Sequence, residues 1–274
     1  MRFQKSLSVF TVLLLSFCFT GITETAAALK ISVKEKKWTT RIAESFLARN
    51  PDYIVYDENP TQQKWNYEQG LMLNSMRQMY LLTKEKKYAD YIKRNLDQNV
   101  QDDGKITTYK LSDYNIDQIG PGRALLFTYQ MTKNIKYKIA ADTLRKQLAG
   151  HPRTNSNGFW HKQIYPYQMW LDGLYMGEPF YAEYSKMFNN SKDFDDIAHQ
   201  FELIYSKTKD PETGLLYHAW DESKSQRWAN KETGQSAHFW SRGIGWYMMA
   251  LVDVLDFIPE NHPKREMLIN QLRE

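Results

Sequence analysis

The sequence has 274 residues, 36 basic and 32 acidic side chains and a formal net charge of +4, a balance that argues against a nucleic-acid binder. Its single cysteine is Cys18, so the chain beyond it has no thiol for disulfides, thiolate metal sites or a cysteine nucleophile. No linker rich in Pro, Gly or Ser divides the chain, which suits one large domain.

The N-terminus reads Met1-Arg2-Phe3-Gln4-Lys5, then an apolar run over residues 7–22, then Ala26-Ala27-Ala28. Basic residues, a short apolar core and small residues in that order make a signal peptide, and the run is short for a bilayer crossing. Residues 1–28 are therefore expected to be an export signal, with a mature domain over 29–274 in the periplasm or outside the cell. No later stretch is apolar enough to span a membrane. Aromatic residues make up 14% of the chain, with 18 Tyr and 8 Trp, which fits either sugar-stacking surfaces or a thick helical core.

Helical periodicity follows. Tyr88, Tyr91, Ile92 and Leu96 share one helix face, as do Tyr137, Ala140, Ala141 and Leu144. Charged, amphipathic helices are expected to start near Lys87, Lys136, Asp193 and Lys264. Between them come less charged, Gly-containing helices that begin Glu68-Gln69-Gly70, Asp117-Gln118-Ile119-Gly120, Asp172-Gly173-Leu174 and Arg242-Gly243-Ile244-Gly245. The two series advance together, so the chain reads as repeated helix pairs with the Gly-containing member inside and the charged member outside. A turn and a short extended piece follow each outer helix, at Asp102-Asp103-Gly104, Asn155-Ser156-Asn157-Gly158 and Glu212-Thr213-Gly214. Helix pairs that close on themselves form an all-α toroid. Counting from residues 38–49 with 65–83, about four complete pairs are present, so a C-terminally truncated toroid is expected.

In such a toroid the loops entering the inner helices line one mouth, which gathers Tyr67, Asp117, His161, Asp172, His218 and Arg242. Asp172 lies within Trp170-Leu171-Asp172-Gly173-Leu174-Tyr175-Met176, where desolvation raises a carboxyl towards a working general acid. Asp117 offers a second carboxylate, the usual equipment for glycoside cleavage. Either could instead be a helix cap. His161 and His218 follow equivalent turns and could face the same cavity or solvent. Trp240-Ser241-Arg242-Gly243-Ile244-Gly245-Trp246 puts a fixed positive charge between two indoles, which suits an acidic sugar, unless both indoles are core and Arg242 pairs with an internal acid. No His-x-x-x-His or compact carboxylate cluster suggests a metal, and no cofactor motif is present.

Taken in order, Trp65-Asn66-Tyr67-Glu68-Gln69-Gly70, Asn115-Ile116-Asp117, His161, the stretch from Met169 through Met176, His218 and the segment from Trp240 through Trp246 form a strong signature. It resembles the unsaturated rhamnogalacturonyl hydrolases of glycoside hydrolase family 105 and, more distantly, the unsaturated glucuronyl hydrolases, over residues 38–274. The resemblance implies an (α/α)6 toroid acting on an acidic oligosaccharide with a 4,5-unsaturated uronic acid at its non-reducing end. It implies that Asp172 protonates C4 and then helps water add at C5, and that Asp117 positions the sugar and influences Asp172. Tyr67, His161, His218, Trp240, Arg242 and Trp246 are implied to contact substrate or shape its subsite. Unsaturated glucuronyl groups as substrate, a lyase on a similar toroid, or a non-catalytic sugar-binding fragment are the alternatives. The sequence sets no oligomeric state.

Overall fold

A computed structural model describes residues 37–52, 54 and 63–274; the export signal expected over residues 1–28 lies outside them. Two compact units divide the chain, residues 1–49 and 50–274. Of the first, the described part is essentially one helix, α1 (Trp38–Arg49), on which the Arg41 guanidinium lies 4.1 Å from the Trp38 ring. The helix pairs of the second unit therefore begin with the next helix.

That unit contains α2 (Tyr67–Thr83), α3 (Lys86–Asn99), α4 (Gly122–Thr132), α5 (Ile135–Gly150), α6 (Leu171–Met187), α7 (Asp193–Thr208), α8 (Ser241–Leu255) and α9 (Arg265–Arg273). Helices α2, α4, α6 and α8 pack side by side in chain order, and α3, α5, α7 and α9 each pack on the helix that precedes them. This is the expected alternation of inner and outer helices.

Local chemistry explains where several of these helices start. Asn66 caps α2 by accepting a bond from the Gln69 backbone N–H at 3.1 Å, and Asn134 caps α5 through Lys136 N–H at 3.1 Å. Asp193, Asp195 and Asp196 occupy the first turn of α7, where carboxylates favour the helix dipole. The predicted faces are buried: Tyr88, Ile92 and Leu96 on α3 and Tyr137, Ala140, Ala141 and Leu144 on α5 are all sealed from solvent. Gly70 shows why an inner helix tolerates glycine. A Cβ there would stand 2.6 Å from the backbone nitrogen of Pro121, so α2 meets the entry of α4 only without a side chain.

One expected boundary is wrong. Asp117 does not open the second inner helix; it sits in a separate 3-10 turn, Ile116–Gln118, and α4 starts only at Gly122 behind Pro121. Proline disfavours helical backbone in the residue before it and brings no N–H of its own, so the helix restarts after the Gly120-Pro121 step.

The turns after the outer helices each close a small hairpin, with isolated bridges Val100–Ile106, Arg153–Phe159 and Lys209–Leu216. Two three-residue strands, β1 (Gln168–Trp170) and β2 (Ala219–Asp221), pair antiparallel with Met169 opposite Trp220. Strand β1 runs straight into α6.

Charged side chains from all four inner helices meet in the interior. Arg77 of α2 lies 2.8 Å from Glu183 of α6, Arg123 of α4 lies 3.4 Å from the same carboxylate, and Arg123 also pairs with Asp253 of α8. Between α2 and α8 is a cavity of about 460 Å³ bordered by Leu71, Asn74, Gln78, Tyr175, Met248 and Asp253 among others.

Candidate active site

Backbone pairing between distant loops assembles the site. Ile116 N–H donates to the His161 carbonyl at 3.1 Å, and His161 N–H donates to the Gln168 carbonyl at 2.7 Å. Gln168 in β1 then pairs with Asp221 in β2, and Leu171 N–H reaches the His218 carbonyl at 3.0 Å. The residues carrying Asp117, His161, Asp172 and His218 are thus tied together by main-chain bonds before any side chain is considered.

Asp117 lies between two basic groups. Its Oδ1 is 3.2 Å from His161 Nε2 and its Oδ2 is 2.7 Å from Lys162 Nζ. Burial alone lifts the Asp117 carboxyl, but the hydrogen bond from His161, with the Lys162 ammonium beside it, more than reverses this and holds it below the usual carboxylate range. The imidazole of His161 is itself 2% exposed and stacks on Trp170 at 4.4 Å between ring centres, with Tyr165 stacked on that indole at 5.2 Å.

Asp172 is the second residue of α6; Trp170 occupies the cap position without a side-chain bond. Capping therefore does not account for Asp172. Burial pushes its carboxyl up, the neighbouring Asp117 adds to this, and His161, its own backbone N–H and His218 only partly offset them. Its Oδ1 is buried with no hydrogen-bond partner among the described residues. Two carboxyls at one mouth are thus displaced in opposite directions, the arrangement that separates an acid from an anion.

His218 is half-buried, and burial depresses its imidazole although Asp172 and the His238 carbonyl act the other way. Its ring meets Trp170, Trp228 and Trp240 at 6.4, 6.3 and 6.0 Å. Neither His161 nor His218 is a surface residue.

Arg242 occupies on α8 the position that Asp172 occupies on α6. Its guanidinium lies 4.5 Å from the Trp240 ring centre, is exposed, and forms no ion pair with the described residues; the internal-acid alternative does not hold. The second indole is placed differently from expectation. Trp246 packs on Tyr175 at 4.7 Å, one turn into α6 from Asp172, so only Trp240 lies under the cation. Tyr67 is half-buried, hydrogen-bonded to Glu68, and close enough to Asp117 and Arg242 to feel both charges; burial and Glu68 raise its phenol.

Seven of the eight residues singled out from the sequence are thus linked to one another by contact or by charge, and Trp246 packs on Tyr175 instead. Sequence reasoning missed Lys162, Tyr165 and Trp228. Lys162 directly follows His161, and a search for cations beside the candidate histidines would have found it. Trp228 lies in a loop with no periodic signal. Among the described residues, no group of three or more His, Cys, Asp or Glu side chains comes together to hold a metal ion.

A model of the family described as Glycosyl Hydrolase Family 88 matches residues 38–274. The chain is 26% identical over 216 residues to the unsaturated rhamnogalacturonyl hydrolase YesR of Bacillus subtilis (strain 168), a match covering 77% of this chain and 59% of that protein. It superposes on a family 105 glycoside hydrolase of C. acetobutylicum ATCC 824 with a TM-score of 0.81 and 47% identity, over 87% of this chain and 64% of the other. An α-1,6-mannanase of Salegentibacter sp. HEL1_6 matches with a TM-score of 0.62 at 16% identity, covering 85% of this chain and 68% of that one, a likeness of fold alone. These neighbours bear out the six-hairpin helical toroid. The matches to YesR and to the C. acetobutylicum enzyme span less than two thirds of those proteins. A family match from residue 38 to residue 274 takes in every residue of the site, and on it the chain belongs to Glycosyl Hydrolase Family 88, with the resemblance to the family 105 unsaturated rhamnogalacturonyl hydrolases borne out.

Proposed function

We propose that the protein is an exported hydrolase that removes the 4,5-unsaturated galacturonyl residue from the non-reducing end of rhamnogalacturonan oligosaccharides by hydrating its enol ether. The observation that carries this reading is the opposed displacement of the two carboxyls, Asp172 upward by burial and Asp117 downward by His161 and Lys162. A carboxyl whose hold on its proton is strengthened beside a fixed anion is suited to give that proton to substrate and then to take one from water. The likeness to the unsaturated rhamnogalacturonyl hydrolase YesR of Bacillus subtilis supports the choice of substrate.

In this reading Asp172 transfers its proton to C4 of the C4=C5 bond, and the positive charge that develops at C5 is shared with the ring oxygen. Water then adds at C5 while the Asp172 carboxylate accepts a proton from it. The hemiketal opens to a ketone at C5, and the hemiacetal left at C1 expels the saccharide as an alcohol. One water is consumed and Asp172 ends protonated, as it began. Asp117, held as an anion, steadies the developing charge and positions the sugar. Arg242, stacked on Trp240, pairs with the uronate carboxylate, His161 and His218 hydrogen-bond the sugar, and Tyr67 and Trp246 shape the subsite.

The test is incubation with an unsaturated rhamnogalacturonan disaccharide while the ultraviolet absorbance of the conjugated uronate is followed. Loss of absorbance with release of the saccharide is expected. Turnover only of unsaturated glucuronyl disaccharides would move the substrate assignment, new unsaturated ends cut from intact polymer would replace the hydrolase by a lyase, and binding without turnover would leave a sugar-binding module.

A further inference from the structure

Glu178 has no part in the chemistry above, yet it is among the least exposed charged residues of the chain. It lies on α6, six residues beyond Asp172, with 1% of its surface exposed. Its Oε2 is buried without a hydrogen-bond partner among the described residues, and so is Nδ1 of His161, the imidazole that holds Asp117 through its other nitrogen. An unmet buried acceptor or donor costs the full desolvation of that group, so two of them on one cavity call for a common explanation.

A small cavity supplies one. It measures about 10 Å³ and is lined by both Glu178 and His161, with Gly173, Leu174, Trp170 and Gln200 among its other walls. That is about the room a single water needs. The remaining polar wall is already satisfied: Gln200 accepts from Phe159 N–H at 2.8 Å and donates to the Asn157 carbonyl and to Asp196 at 3.1 and 3.0 Å. Gly173 keeps the space open on the His161 side, since a Cβ there would stand 3.0 Å from Nδ1.

We propose that Glu178 is a positioning residue of the active site, binding one water in this cavity that in turn hydrogen-bonds Nδ1 of His161 and so fixes the imidazole on Asp117. The proposal rests on the reading of Asp117 and His161 as parts of the catalytic site. Burial pushes the Glu178 carboxyl well above its ordinary range, with the charge of Asp196 adding to it and Arg153 opposing. As a carboxylic acid it has one O–H to give to the water, and the water can then donate to Nδ1 while Nε2–H points at Asp117. Fixing a ring through its far nitrogen is the usual means of orienting a working histidine.

Two measurements test this. In a crystal structure of the wild-type protein at a resolution that orders internal waters, one water is expected within hydrogen-bond distance of both the Glu178 carboxyl and His161 Nδ1; a dry cavity overturns the proposal without reference to activity. Side-chain nitrogen-15 NMR of His161 is expected to show one Nε2-protonated tautomer in the wild type and in Glu178→Gln, whose amide can still donate to the water. In Glu178→Met a mixture of tautomers is expected, with kcat reduced about tenfold and restored in the Gln variant. A His161 spectrum unchanged in the Met variant, or a Gln variant as impaired as Met, overturns it. The water and the tautomer are read without substrate, so a failure of the substrate assignment would leave them standing.

Discussion

Asp117 and Asp172 both lie near His161, but among the described residues Asp117 holds that ring by a hydrogen bond, Nε2 to Oδ1 at 3.2 Å, and Asp172 does not. Asp172 keeps one oxygen buried with no hydrogen-bond partner among the described residues. The same imidazole therefore anchors one carboxyl as an anion and leaves the other short of compensation for its burial.

Stability should follow this difference with opposite signs. Asp117 is held below its ordinary value, so its contribution is present above the unfolded carboxylate range and is lost as pH falls through the lower folded value. Asp117→Asn is expected to cost about 1–3 kcal/mol near neutrality and progressively less on acidification. Denaturant unfolding at neutral and at acid pH checks this; a cost that does not shrink at low pH contradicts it.

Asp172 is displaced upward, so the folded state favours its protonated form and loses stability as pH rises through the raised value. Asp172→Asn should therefore unfold at a temperature equal to or above the wild type at neutral pH, with the advantage fading towards acid pH. Thermal unfolding of the two proteins over that range is the check, and a destabilised Asn variant would point to a structural role.

Arg242 forms no ion pair with the described residues and lies on Trp240. Arg242→Ala is expected to weaken binding of a uronate-terminated saccharide at least about tenfold, the scale of one charge-assisted contact, while leaving a neutral analogue unaffected. Calorimetric titration with both sugars decides it. Equal losses for both would assign Arg242 to packing.

The Arg77–Glu183–Arg123–Asp253 chain joins all four inner helices. Glu183→Gln leaves the buried Arg123 and the part-buried Arg77 guanidinium groups without their shared anion and should cost about 3–5 kcal/mol of folding stability. A loss below about 1 kcal/mol in denaturant unfolding, the scale of a surface pair, would mean the network is screened.

The layered architecture was legible because paired helices repeat with their own charge and glycine signatures, and burial of Tyr88, Ile92 and Tyr137 matches the predicted faces. The position of Asp117 was misread because periodicity was followed through Gly120-Pro121, although that dipeptide carries the stop signal. Lys162 was not legible as a partner of Asp117, since a bridge between Asn115 and Lys162 brings the two loops together and leaves no local pattern. The interior charge network was hidden for the same reason. Its members lie 60, 106 and 130 residues apart, and each alone is an isolated charge on a helix.

The most direct test of the central claim follows the vinyl C4 proton of the unsaturated sugar by NMR while the saccharide is released. Hydration initiated by Asp172 predicts that the vinyl signal disappears in step with release in the wild type and that neither change occurs in Asp172→Asn. Release of the saccharide with the vinyl signal intact, or turnover by Asp172→Asn at the wild-type rate, would contradict the account.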